Sequence, residues 1–182
     1  MSLWKSRMKL FVVGLGIAFL LASSASGAVP GALPEDPCAL LKPAEIQALA
    51  PNATIGSGVL DASMAPLGVG CTYTWGPRTP EWGESAVTIT VIDASKAWPG
   101  MGADLIQQGL VAKVKAQGPN ASQVPGVGDA AVFTFEARSS NATAEAYLKA
   151  KGVHLSVQFH AGDSLSNKHK IIALLKDAAA RL

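Results

Sequence analysis

Two stretches of the chain alternate between apolar and polar positions, which is the pattern of half-buried β-strands. In residues 71–75 one face would carry Cys71, Tyr73 and Trp75. In residues 86–92 the inward positions would be Val87, Ile89 and Val91. A connection rich in glycine and proline, residues 76–83, separates the two stretches. We therefore predict that they pair as an antiparallel hairpin.

The remaining pattern predicts three more strands and three helices. The strands cover residues 131–135, 144–149 and 153–160. Apolar positions at helical spacing predict helices from Pro43 to about Leu49, over 103–116 and over about 165–182. The order helix, two strands, helix, three strands, helix predicts an α+β fold with an antiparallel sheet of about five strands.

Segments without a period are expected to be loops. Residues 55–66 are rich in glycine, serine and alanine and are predicted as a loop. Residues 124–129 contain Gly126 and Gly128 and are predicted as a turn before a strand. They do not form a dinucleotide-binding motif, because such a motif opens a helix and has a third glycine. Asp163 and Ser164 are expected to cap the last helix.

The N-terminus has the three parts of a secretory signal peptide. Lys5, Arg7 and Lys9 precede an apolar run over residues 10–22, and small residues follow as far as Ala28. The run is shorter than the ~20 residues that span a bilayer, although a retained anchor stays an alternative. We predict a signal peptide over 1–28, an extended leader over 29–36 and a single periplasmic or secreted domain over 37–182.

Removal of the signal peptide changes the charge of the chain. The full sequence has 15 Lys and Arg against 13 Asp and Glu, a net charge of +2. Without the three basic residues of the signal, 12 remain against 13, a net charge near −1. No polybasic patch remains, so binding to nucleic acid is not expected. No later segment is apolar enough to span a membrane, and no membrane span is predicted after cleavage.

The chain has two cysteines, Cys38 and Cys71. In an exported protein a single pair is most simply a disulfide. Its loop closure would contribute roughly 3–4 kcal/mol of stability. Redox catalysis or zinc binding is the alternative, but the chain has neither a Cys-x-x-Cys motif nor four closely spaced ligands. No cofactor and no metal site are predicted.

Four short motifs resemble a family of small exported bacterial proteins and lipoproteins, best known from actinobacteria, that carry a domain of unknown function. The motifs are residues 36–41, 43–46, 71–75 and 126–131. The resemblance implies an α/β/α sandwich of the photosystem-accessory-protein type and carries over no activity or ligand. The chain lacks the lipobox cysteine of many such proteins, which favours an unlipidated form. Lys42 stands where the family often has a capping hydroxyl.

The histidines and acidic residues are expected to be structural. His154 and His160 would lie on the same outward face of one strand, roughly 20 Å apart, too far to share a metal ion. His169 lies on another element and could approach only one of them. Solvent-facing positions are therefore expected, and a metal site formed by two histidines is the alternative. The chain has no Gly-x-Ser-x-Gly motif. Turn or strand-end positions are predicted for four possible catalytic acids: Asp61, Asp93, Asp129 and Asp163.

Trp82 and Trp98 flank the best predicted strand, in segments stiffened by proline. Packing at the edge of the core is one interpretation, and the wall of a recognition surface is the other. From the second interpretation, we predict that the protein is an exported, non-enzymatic binding module whose partner is a small apolar ligand or a cell-envelope protein. A periplasmic hydrolase or a metal-binding protein is the alternative.

Overall fold

The computed structural model describes residues 31–79, 83–162 and 164–182, and within them the chain forms four α-helices and seven strands. The helices are α1 (Pro43–Gln47), α2 (Ala94–Ala97), α3 (Ala103–Gln117) and α4 (Lys168–Arg181). The strands are β1 (Val59–Asp61), β2 (Gly68–Thr79), β3 (Gly83–Asp93), β4 (Ala121–Gln123), β5 (Ala130–Glu136), β6 (Asn141–Leu148) and β7 (Val153–His160). The predicted signal peptide, Trp82 and Asp163 lie outside the described residues.

The strands form one antiparallel sheet in the spatial order β1-β2-β3-β7-β6-β5-β4, so the predicted α+β class is confirmed. The predicted hairpin of β2 and β3 is also confirmed, with Tyr73 opposite Val87. The last strand, β7, pairs with β3 on one side and with β6 on the other. It therefore joins two halves of the sheet that come from separate parts of the chain.

One face of the sheet carries the main core. Helix α4 packs there on β6 and β7, and the N-terminal segment packs on β2 and β3. Three inward side chains of β6 are alanines, Ala142, Ala144 and Ala146, and they leave room for the larger residues of α4. The largest fully buried side chains of this core include Ile89, Phe133, Leu155, Phe159, Ile171 and Leu175.

Among the described residues, the opposite face of the sheet is covered on one half only. Helix α3 packs on β4, β5 and, to a smaller extent, β6. Ile106 and Leu110 of the helix form a second apolar cluster with Val132 and Tyr147 of the sheet. The candidate site described below lies at this margin, where α3 and the α2–α3 connection meet the strands β6 and β7.

The predictions of about five strands and three helices are wrong, because the described residues form seven strands and four α-helices, of which the short α2 was not predicted. The two additional strands, β1 and β4, have three residues each and form opposite edges of the sheet. β1 lies within residues 55–66, which were predicted as a loop. A three-residue strand is too short to show alternation, and both strands form because a longer neighbour, β2 or β5, offers an unpaired edge.

The predicted start of the last helix is also wrong. Helix α4 begins at Lys168 rather than near Leu165, and its N-cap residue is Asn167. Ser164 does not cap it. The Ser164 hydroxyl is buried and instead accepts from the backbone N–H of Ala161 at 3.1 Å and lies against the carbonyl of Ser140. The hydroxyl thus stabilises the loop before the helix. The sequence alone does not distinguish such a position from a helix cap.

The N-terminal segment is attached to the sheet by the predicted disulfide, which is confirmed between Cys38 and Cys71. The Tyr73 hydroxyl donates to the carbonyl of Cys38 at 2.9 Å. At the start of α1, Lys42 supplies no side-chain cap, but its backbone N–H donates to Glu45 at 2.9 Å. None of the described helices has both the length and the apolar character needed to cross a membrane.

Candidate ligand-binding site

A short capped helix places Trp98 at the margin of the sheet. Asp93 ends β3 and is the N-cap of α2, accepting from the Ser95 hydroxyl at 2.6 Å and from the Ser95 backbone N–H at 3.0 Å. The hydrogen bond from the Ser95 hydroxyl is the main reason why the pKa of Asp93 lies below its ordinary value. Trp98 is the C-cap residue of α2, and its N–H donates to Ala94 at 3.0 Å. The predicted turn position of Asp93 is therefore a helix cap, and it orients Trp98.

Trp98 and helix α3 enclose a pocket of about 290 Å³ above the strands β6 and β7. Its apolar lining residues are Trp98, Met101, Leu105, Ile106, Gly109 and Leu110. Ile106 and Leu110 are buried, whereas Met101 and Leu105 are 46% and 57% exposed. The pocket thus has a packed inner wall and an apolar rim that is exposed to solvent. Burial of such a rim by a ligand would be favourable.

Three charged or titratable side chains form the polar end of the pocket, and we call them the Glu145 cluster: Lys113, Glu145 and His154. The Lys113 ammonium lies 2.7 and 2.8 Å from the two Glu145 carboxylate oxygens. His154 Nε2 lies 3.0 Å from Glu145 Oε2. Lys113 comes from α3, Glu145 from β6 and His154 from β7, so three elements meet at one carboxylate.

Glu145 is held as a carboxylate. Burial by itself raises the pKa of Glu145, but the hydrogen bonds from His154 and Lys113 outweigh burial and bring the pKa below its ordinary value. The Glu145 side chain is 6% exposed, whereas the Lys113 side chain is 49% exposed. The cluster therefore buries one negative charge and leaves its counter-charge in contact with solvent.

His154 has one ring nitrogen that the rest of the described chain does not satisfy. The residue is 8% exposed, and its Nδ1 has no hydrogen-bond partner among the described residues. The Trp98 ring stands edge-on to the imidazole, with ring centroids 5.6 Å apart and an interplanar angle of 87°. An unsatisfied buried polar atom is uncommon in native proteins and requires an explanation.

The tryptophans and histidines singled out from the sequence differ in their positions in the structure. Trp98 is half-buried and lines the pocket, whereas Trp82 lies outside the described residues, so the predicted pair of tryptophans stays a prediction. His154 was predicted to face solvent, and this prediction is wrong because α3 and Trp98 cover it. His160 is on the same face but only half-buried, and its Nδ1 lies 2.7 Å from Asn141 Oδ1.

Sequence reasoning missed Lys113 and Glu145. Lys113 falls within the predicted helix over 103–116, but no pattern in the sequence indicates its ion pair with Glu145. The sequence signal for Glu145 is its position as the one charged residue in the strand Asn141–Leu148, between Ala144 and Ala146. A lone acidic residue inside a predicted buried strand needs a cationic partner, because an unpaired buried charge is strongly unfavourable.

The groups that line the site can bind a ligand and exchange a proton. A carboxylate that accepts from one imidazole nitrogen orients the other nitrogen, as in hydrolases with a histidine base. The described lining residues include no serine, threonine or cysteine that could act as a nucleophile. Across the described ranges, no group of three or more His, Cys, Asp or Glu side chains is placed to hold a metal ion.

Comparisons with protein-family models, with curated proteins and with solved structures found no match to this chain.

Proposed function

We propose that the protein is an exported, non-enzymatic binding module that holds a small, largely apolar ligand in the pocket between Trp98 and α3. The observation that supports this most directly is the pocket itself, with apolar walls and one polar end. Apolar cavities with a few convergent polar groups are the usual form of small-molecule sites. A cavity of ~150 Å³ can hold benzene, so one of about 290 Å³ suits a ligand of one or two rings.

The exposure of the rim also supports a binding role. Met101 and Leu105 are among the most exposed large apolar side chains of the described chain. Both lie on the same pocket as Trp98, an aromatic residue of the kind that dominates recognition. A ligand seated there would remove these side chains from water without requiring any rearrangement of the sheet. The Glu145 cluster would then set the orientation of the ligand.

The first test replaces the aromatic wall. Trp98→Ala should weaken the binding of 1-methoxynaphthalene, a neutral two-ring probe, by roughly tenfold or more, because it removes one apolar side of the pocket. Isothermal titration calorimetry of the full exported protein measures this. Leu165→Ala is the matched control, since Leu165 is an exposed apolar residue (49%) that does not line this pocket.

Thermal unfolding of the same variants separates recognition from packing. If Trp98 serves only as core packing, its truncation should cost ~3–5 kcal/mol of stability. We expect a smaller loss, about 1–2 kcal/mol, because Trp98 is only partly buried. Binding that is equal in the wild type and Trp98→Ala, or no binding by the wild type, would contradict the proposed function.

A further inference from the structure

We infer that the ligand carries a hydroxyl group that donates a hydrogen bond to Nδ1 of His154. The ligand class is thus a compact apolar alcohol or phenol, with its ring or chain between Trp98 and α3 and its hydroxyl at the Glu145 cluster. This inference rests on the proposed function and adds the polar half of the ligand to it.

The direction of the hydrogen bond follows from the Glu145 cluster. The carboxylate of Glu145 can only accept, so His154 Nε2, 3.0 Å away, must carry the proton and donate it. A neutral imidazole protonated at Nε2 has its lone pair on Nδ1. The buried, unpartnered nitrogen of this pocket-lining residue is therefore an acceptor, and a ligand that reaches it must supply a donor.

The surroundings of Nδ1 favour a neutral donor over an ion. The charges that line the pocket are Lys113 and Glu145, and these two already pair with each other at 2.7 and 2.8 Å. A ligand carboxylate would oppose the Nδ1 lone pair and would lose its hydration in a largely apolar space. A hydroxyl can donate to Nδ1 at much smaller desolvation cost.

The unsatisfied nitrogen also explains how such a ligand would be selected. A buried acceptor that meets a ligand without a donor stays unpaired, and this lowers the affinity for that ligand. A ligand whose hydroxyl donates to Nδ1 satisfies this acceptor. The pocket would therefore discriminate between an alcohol and its methyl ether, two molecules of nearly the same apolar surface.

The experiment compares 1-naphthol, 1-methoxynaphthalene and 1-naphthoate by calorimetry at pH 8. We expect the wild type to bind 1-naphthol roughly 5- to 30-fold more tightly than the ether, and 1-naphthoate no more tightly than the ether. His154→Phe keeps a flat aromatic ring in place of the imidazole but has neither ring nitrogen, so it removes the acceptor at the Nδ1 position. This variant should bind the naphthol and the ether equally, with little change for the ether.

A second measurement on the wild-type protein does not depend on the folding of a variant. The ¹⁵N chemical shift of His154 Nδ1 should move on addition of 1-naphthol, in the direction of a hydrogen-bonded lone pair, and should not do so with the ether. A naphthol preference that persists in His154→Phe, tighter binding of the naphthoate, or an unchanged Nδ1 signal would each overturn the inference.

The outcomes also separate the inference from the function on which it rests. If the naphthol and the ether bind equally well and Trp98→Ala weakens both, the apolar site stands and the hydroxyl inference is wrong. If neither compound binds the wild-type protein, the proposed function is wrong and the inference with it.

Discussion

Gly128 adopts a positive φ of 55° in the turn that leads into β5. A Cβ atom at this position would lie 2.5 Å from the carbonyl oxygen of Tyr147 and 2.6 Å from Leu148 Cδ2. The neighbouring Gly126 has a φ of 76°, and nothing lies within 4 Å of its ideal Cβ position. The two glycines of the predicted turn are thus needed for different reasons, one for backbone conformation alone and one also for space.

We expect Gly128→Ala to destabilise the protein more than Gly126→Ala. Both variants force alanine into a left-handed conformation, at a cost of roughly 1–2 kcal/mol. Gly128→Ala adds a clash with the backbone of β6 that costs about 1–3 kcal/mol more. Urea unfolding of both variants measures the difference, and equal free energies of unfolding would contradict the close approach seen at Tyr147.

The first and last elements of the described chain are connected by Arg181 near the end of α4. Its Nη1 donates to the carbonyl of Leu40 at 2.7 Å and to Glu45 Oε2 at 2.8 Å, and its Nη2 pairs with Glu45 Oε1. The hydrogen bonds from Arg181 are the largest cause that holds the pKa of Glu45 below its ordinary value of 4.5. Arg181 thus stabilises the N-terminal segment and α1 through a contact between the two ends of the described chain.

This pair predicts a pH dependence of stability. A carboxylate with a lowered pKa in the folded state contributes stability above its unfolded pKa of about 4.5, and this contribution is lost as the pH falls through the folded pKa. Glu45→Gln should therefore reduce stability at pH 7, and the difference from wild type should shrink as the pH falls below 4.5. Chemical unfolding at several pH values measures this.

The exposed residue Glu84 offers the control. Glu84→Gln should leave the free energy of unfolding close to that of the wild type at pH 7, since exposed substitutions away from special contacts have small effects. A destabilisation by Glu45→Gln that stays constant from pH 7 to pH 3 would show that the Arg181 contact does not depend on the charge of Glu45.

At the scale of the whole molecule, the sheet is assembled from distant parts of the chain. β3 and β7 are neighbours although the whole of α3 and three strands lie between them in the sequence. The N-terminal segment has little regular structure of its own and depends on the Cys38–Cys71 bond, the Tyr73 hydroxyl and Arg181 for its position. The disulfide limits the freedom of this segment in the unfolded chain as well.

Replacement of both cysteines by alanine should lower the free energy of unfolding by roughly 2–5 kcal/mol. Denaturant unfolding of the wild-type and double-alanine proteins measures the loss. Dithiothreitol should destabilise the wild type and have no effect on the variant, so the variant is the control for effects of the reductant other than cleavage of the disulfide. Two free thiols in unreduced, exported protein would contradict the bond seen in the structure.

The sequence by itself determined the elements whose patterns are local. The alternation of residues 71–75, 86–92 and 153–160 identifies β2, β3 and β7, because every second side chain of a strand faces the same side. The apolar spacing of residues 103–116 identifies α3 to within one residue of its end. The disulfide followed from two cysteines in a chain with a predicted export signal, because no other pairing of cysteines exists within the chain.

Only the tertiary structure decided which of these elements meet. Strand order and the edge strands β1 and β4 depend on pairing between distant residues, which leaves no period in the sequence. His154 occupies an outward position of an alternating strand and is nevertheless buried, because α3 and Trp98 cover that part of the face. The ion pair of Lys113 with Glu145 joins a helix to a strand in the same way. The candidate site is therefore a product of helix packing across the sheet, a contact that no local pattern encodes.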